Sequence, residues 1–140
     1  DITLYYNQLK YDSSNVPVVL ASGTEARLIE AEASANADDA TTVEDIHNAL
    51  RATIGLSDLD LSGISGDDLL LAHFSERAFW LFSTGHRLGD LRRLVDVYGM
   101  MPSNVFPWGP YFKGGEYSTN LKFLVPQSES NNPNYVGCLD

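Results

Sequence analysis

The stretch from Glu76 to Leu94 constrains this chain more than any other. It sets a densely apolar run, Ala78-Phe79-Trp80-Leu81-Phe82, directly against a group of fixed charges, Arg87, Asp90, Arg92 and Arg93. A surface helix seldom spends aromatics this way, and a core helix holds charges so close only when they are paired. The pattern predicts a helix packed inside a larger helical body, bent or interrupted at Gly85. Arg87–Asp90 and Asp90–Arg93 are three residues apart and Arg92–Asp96 four apart, so opposite charges share a helical face. Glu76, Arg87, Asp90 and Arg92 are therefore expected to form a structural charge cluster.

Upstream, Ser22-Gly23-Thr24-Glu25 has capping-box spacing and predicts a helix from Thr24 to Asn36. Thr41-Thr42-Val43-Glu44 offers a second box, and Val43, Ile46, Leu50 and Ile54 form an apolar stripe that Gly55 ends. With only Asp38-Asp39 between them, these helices are expected to form an antiparallel hairpin of tetratricopeptide type. Ile29 and Ala33 would face Ile46 and Leu50. A third helix follows Ser65-Gly66-Asp67-Asp68; apolar on several faces, it is expected to be largely buried. A fourth starts at Leu88, carries Leu88, Leu91, Val95 and Tyr98 on one face, and stops at Gly99. The first ten residues favour an extended segment, and Tyr117 to Val125 is strand-like. The layout is thus mostly α: an extended lead-in over 1–23, a helical body over 24–99 and a long irregular tail over 100–140.

Four segments, in order, resemble the SusD/RagB family of nutrient-uptake proteins. Arg27-Leu28-Ile29-Glu30-Ala31-Glu32-Ala33 is similar to the family's early alanine-rich helix, and Ile46-His47-Asn48-Ala49-Leu50-Arg51 to the next. Glu76-Arg77 through Gly85-His86-Arg87 to Asp90-Leu91-Arg92-Arg93 is similar to its late charged helix. Pro126-Gln127-Ser128-Glu129 with Asn131-Asn132-Pro133-Asn134 is similar to its closing tail. Thr84 stands where the family more often has glutamate, which removes one expected charge partner. The resemblance implies tetratricopeptide-like helix pairs and the C-terminal part of a longer surface lipoprotein, anchored by lipid through a preceding portion. It further implies non-catalytic capture of glycans or other nutrients, delivered to a SusC-like TonB-dependent transporter in the outer membrane.

Composition and motifs narrow the alternatives. A net charge of −10 argues against nucleic acid, since no basic stripe offsets the repulsion. Nothing approaches the roughly 18 consecutive apolar residues of a membrane span. The chain opens on Asp1 without a signal segment, which again fits a piece of a longer protein. Cys138 has no second cysteine in the sequence to pair with. Glu30 and Glu32 project to opposite faces of a helix, and Glu25 and Glu32 lie roughly 10 Å apart along it, so no glycosidase pair is formed. His47, His73 and His86 lack metal-site spacing; only His73 and Glu76 share a face. Asp58, Asp60 and Ser62 copy the opening of a calcium loop, but Leu69 occupies the position that needs a bidentate glutamate. No metal, cofactor or catalytic residue is expected.

The best ligand candidates are Trp108, Tyr111, Phe112 and Tyr117, interleaved with Gly109, Gly114 and Gly115. Their rings can stack on sugars, or they can anchor a long loop. The main alternative to nutrient capture is a helical-repeat interaction scaffold with no small-molecule ligand. A hydrolase with its second carboxylate outside this chain is a further rival.

Overall fold

Ser22 starts the first helix, α1 (Gly23–Asn36): its backbone is extended and its Oγ accepts the Glu25 backbone N–H at 3.1 Å. This cap is half of the expected box, because the Glu25 side chain turns to His86 and not back to Ser22. The second helix, α2 (Ala40–Ala52), begins earlier than the Thr41–Glu44 box implies. Asp39 is its cap, accepting from the Thr42 N–H at 3.0 Å and from the Thr42 hydroxyl at 2.6 Å. These contacts hold the Asp39 carboxyl below its ordinary value. Asp38 adopts a left-handed φ of 59° and accepts the Gly66 N–H at 2.6 Å. It thereby caps α3 (Gly66–Trp80), whose own Ser65 side chain makes no cap bond. One two-residue acidic link thus serves the starts of two helices.

The computed structural model describes residues 9–117, 121 and 131–134. The expected extended start over 1–8, most of the strand-like 117–125, the Pro126–Glu129 motif and Cys138 lie outside the described residues. The fold is mostly helical, completed by α4 (Arg87–Asp96) and a single turn, α5 (Pro102–Val105). Among the described residues no strand forms, only an isolated bridge between Pro110 and Glu116. No described helix is long and apolar enough to cross a membrane. The chain divides into two compact units, residues 1–90 and 91–140.

In the first unit α1 packs against both α2 and α3. Leu28, Ala31 and Ala35 of α1 are buried, as are Val43, Ile46 and Leu50 of α2 and Leu69, Leu70 and Phe74 of α3. Burying each large side chain contributes about 1.5–3 kcal/mol. The expected facing residues on α1, Ile29 and Ala33, are corrected: Leu28, Ala31 and Ala35 form the buried face. Ile29 is 56 % exposed and Ala33 is exposed too. The small Ala31 and Ala35 sit three and seven residues after Leu28 and let neighbouring helices come close, which turns Ile29 outward.

The third helix is less buried than expected. Phe79 is 77 % exposed and Phe82, just beyond the helix, 60 %. Its buried face runs Leu69, Leu70, His73, Phe74 and Arg77, so two polar residues occupy core positions that the aromatics were expected to fill. After Trp80 the chain turns through Leu81–Gly85, with Ser83 held at a left-handed φ of 61°. In the second unit Leu94 and Met100 are buried. Gly99, at φ 71°, ends the fourth helical segment as expected. Its N–H reaches the Val95 carbonyl at 3.1 Å and the Met100 N–H reaches Leu94 at 3.0 Å.

Candidate functional site

The charge cluster resolves into separate pairs. Arg77 Nε donates to Asp90 Oδ2 at 3.0 Å, with both side chains at 4 % exposure or less. Glu76 pairs instead with Arg51 of α2, Nη1 to Oε1 at 2.8 Å. Arg92 Nε donates to the Leu121 carbonyl at 3.2 Å in the second unit. Arg87 is exposed. The expected grouping of Glu76, Arg87, Asp90 and Arg92 is therefore corrected: Asp90 is tied to the preceding helix and not to Arg87 on its own. A partner thirteen residues away in sequence helps Asp90 to be buried. Arg77 and Arg51 both lie in the segments that resemble the SusD/RagB family, but spacing alone does not reveal their partners.

A cleft of about 600 Å³ opens in the first unit between the 10–22 lead-in, the start of α1 and the Leu81–Gly85 turn. Val16 to Val19 and Leu81 supply apolar walls, Tyr11 and Trp80 supply rings, and Glu25, Thr84 and His86 supply polar groups. Trp80 also packs on a buried cluster of Leu28, Leu50 and Leu81. His86 Nε2 lies 3.0 Å from Glu25 Oε1, and its Nδ1 lies 2.7 Å from Thr84 Oγ1. The Thr84 hydroxyl donates to the Leu81 carbonyl at 2.5 Å. The imidazole thus bridges the Glu25 carboxylate and the Thr84 hydroxyl. Carboxylate, imidazole and hydroxyl line one edge of the cleft. Glu25 and His86 are 61 residues apart, so no linear pattern exposes the pairing.

His47 and His73 are both fully buried and meet between α2 and α3, Nε2 to Nδ1 at 3.1 Å. The ring of His73 also meets Phe74 edge-on, with centroids 5.2 Å apart. Burial pushes the His47 imidazole below its ordinary value, outweighing the nearby Glu76 carboxylate, and Arg51 acts in the same direction as burial. His73 thus faces another imidazole, and Glu76, its suspected partner in a metal pair, faces Arg51. The Ser62 hydroxyl and, at 2.9 Å from Oδ1, the Ser62 N–H both donate to Asp60 in an exposed turn and hold its carboxyl low. Among the described residues no group of three or more His, Cys, Asp or Glu gathers into a metal-sized site.

The aromatic segment folds into a tight turn of the second unit. Tyr117 N–H donates to the Gly109 carbonyl at 2.9 Å, and Tyr111 N–H to Gly115 at 2.8 Å. Gly114 and Gly115 take φ values of 97° and 85°, which a side chain would disfavour. Tyr111, half-buried, meets Phe112 and Tyr117 edge-on with ring centroids 4.6 and 5.1 Å away. Its neighbours face outward: Trp108 is 50 % exposed, Phe112 79 % and Tyr117 38 %. The Lys113 ammonium lies 5.5 Å from the Phe112 centroid. Three of the four candidate rings are thus gathered around Tyr111, and Trp108 adjoins them in sequence at Gly109.

Comparison with family models, with curated proteins and with solved structures finds no match.

Proposed function

We propose that this chain is the C-terminal part of a SusD-like surface lipoprotein that captures glycans or related nutrients without catalysis. On this reading it passes them to a SusC-like TonB-dependent transporter in the outer membrane. The observation that carries the reading is the exposure of Trp108, Phe112 and Tyr117 on a turn whose backbone is already fixed by its own hydrogen bonds. Rings that served only to anchor a loop would be covered. Exposed, pre-positioned rings bind sugar faces at low entropic cost. The ordered sequence motifs support the family, and the mostly helical fold agrees with it.

The test is a titration against a glycan panel, with melting measured on the same proteins. Trp108→Ala and Tyr117→Ala should each weaken affinity by about 1–2 kcal/mol and leave melting unchanged. Tyr111→Ala should lower melting as well, because its ring holds the other two. Loss of melting without loss of affinity in the first two variants would return the rings to an anchoring role.

A second reading, an interaction scaffold without a small-molecule ligand, draws on Phe79 and Phe82, which remain exposed beside Arg87 around a second cleft in the first unit. It predicts no saccharide binding at all in the same titration.

A further inference from the structure

The cleft at the start of α1 plays no part in the turn-based capture just described, yet its chemistry is that of a ligand site. The Arg77–Asp90 pair shows what a purely structural ion pair looks like in this unit, with side chains 3 % and 4 % exposed. The His86 and Glu25 side chains, by contrast, keep 34 % and 24 % of their surface open at the mouth of a cleft. Its volume of about 600 Å³ falls inside the range of roughly 300–1,000 Å³ typical of small-ligand pockets. Apolar walls with a few convergent polar groups are the usual composition of such sites.

We propose that this cleft binds the ring of a neutral saccharide, as a capture point distinct from the Trp108–Tyr117 turn. The polar groups select the class. A carboxylate accepts about four hydrogen bonds, and the Glu25–His86 contact uses one. Thr84 Oγ1 gives its proton to Leu81 and faces the cleft as an acceptor, while Ser22 Oγ accepts from backbone and keeps a proton to donate. Lys10 also lines the cleft but donates to the Phe82 carbonyl at 2.9 Å, and an anion would meet the Glu25 carboxylate in a chain of net charge −10. A hydrocarbon would strip water from Glu25 and return no hydrogen bond. A hydroxyl-rich ring satisfies Glu25 with its O–H groups and covers Tyr11 and Trp80 with its C–H face. The inference rests on the carbohydrate-capture reading and adds a second site to it.

The test is calorimetric titration of the intact chain with neutral oligosaccharides, as wild type and as Glu25→Ala, Glu25→Gln, Tyr11→Ala and Trp108→Ala. Glu25→Ala should weaken one class of site about tenfold or more, the loss of a charge-assisted hydrogen bond. Glu25→Gln, which retains an acceptor oxygen, should recover part of that loss. Tyr11→Ala should weaken the same class, measured well below the variant's own melting transition so that the loss reports binding. Binding that survives Glu25→Ala and Tyr11→Ala at full strength but is lost in Trp108→Ala overturns the cleft and leaves the capture reading standing. No saccharide binding by the wild-type chain overturns both.

Discussion

Asp90 and Arg87 lie one helical turn apart and differ completely in what they hold. Asp90 is buried against Arg77, and Arg87 is exposed. Removing one partner of a buried pair leaves an uncompensated charge, so Asp90→Ala should cost about 3 kcal/mol or more. Arg87→Ala should change stability by less than about 0.5 kcal/mol. Chemical denaturation of the two variants checks this; equal losses would restore the cluster expected from spacing alone. Burial of His47 against His73 makes stability pH-dependent. With the folded pKa depressed below the ordinary 6.5, the unfolded chain binds more protons in acid. That contribution is complete above about pH 6.5 and is lost as pH falls toward the folded value, by up to about 1.4 kcal/mol per pH unit. Arg51 and Glu76 face the pair and remain matched to each other at 2.8 Å. Melting measured from pH 7.5 down to 5 should fall, and His47→Leu should flatten the slope; an unaltered slope in the variant would remove His47 as its cause.

At the scale of elements, the loop over 57–65 shows how a polar helix face organises irregular chain. Glu44, Asn48 and Arg51 fall at i, i+4 and i+7 of α2 and hold the loop residue by residue. Glu44 Oε2 accepts the Leu61 N–H at 2.8 Å, Asn48 exchanges two hydrogen bonds with Leu59 at 3.0 and 2.7 Å, and Arg51 Nε donates to Ser57 at 2.7 Å. These bonds seat Leu61 in the core at 1 % exposure. Asn48→Ala should therefore cost about 1–2 kcal/mol and speed hydrogen exchange at Leu59 and Leu61. Unchanged exchange there would show the loop to be held by Leu61 alone. The same residues mark the limit of what sequence discloses. The helices were legible because caps, apolar steps and stop glycines act over three or four residues. The Thr41–Glu44 box misleads because a glutamate at that offset reads the same whether it turns back to the helix start or out to a loop. The sequence does not show that Ile29 faces outward, because α1 is rich in alanine and offers several faces of similar apolarity. The Arg77–Asp90 and Glu25–His86 pairings depend on chain reversals that no local pattern specifies.

For the whole molecule, the described residues combine a helical unit carrying a saccharide-sized cleft with a second unit that presents an aromatic turn. Glu25, His86 and Thr84 line the cleft of the first unit, and Tyr111, Phe112 and Tyr117 gather on the turn of the second. Capture without catalysis, as proposed, requires the exposed rings to hold a sugar and leave it intact. Saturation-transfer difference NMR on the intact chain with a panel of oligosaccharides tests it most directly. Irradiating the aromatic protons should transfer saturation to the C–H face of a bound sugar. The transfer should drop in Trp108→Ala and Tyr117→Ala, and the oligosaccharide should be unchanged after prolonged incubation. No transfer to any glycan, or the appearance of shortened products, would contradict it.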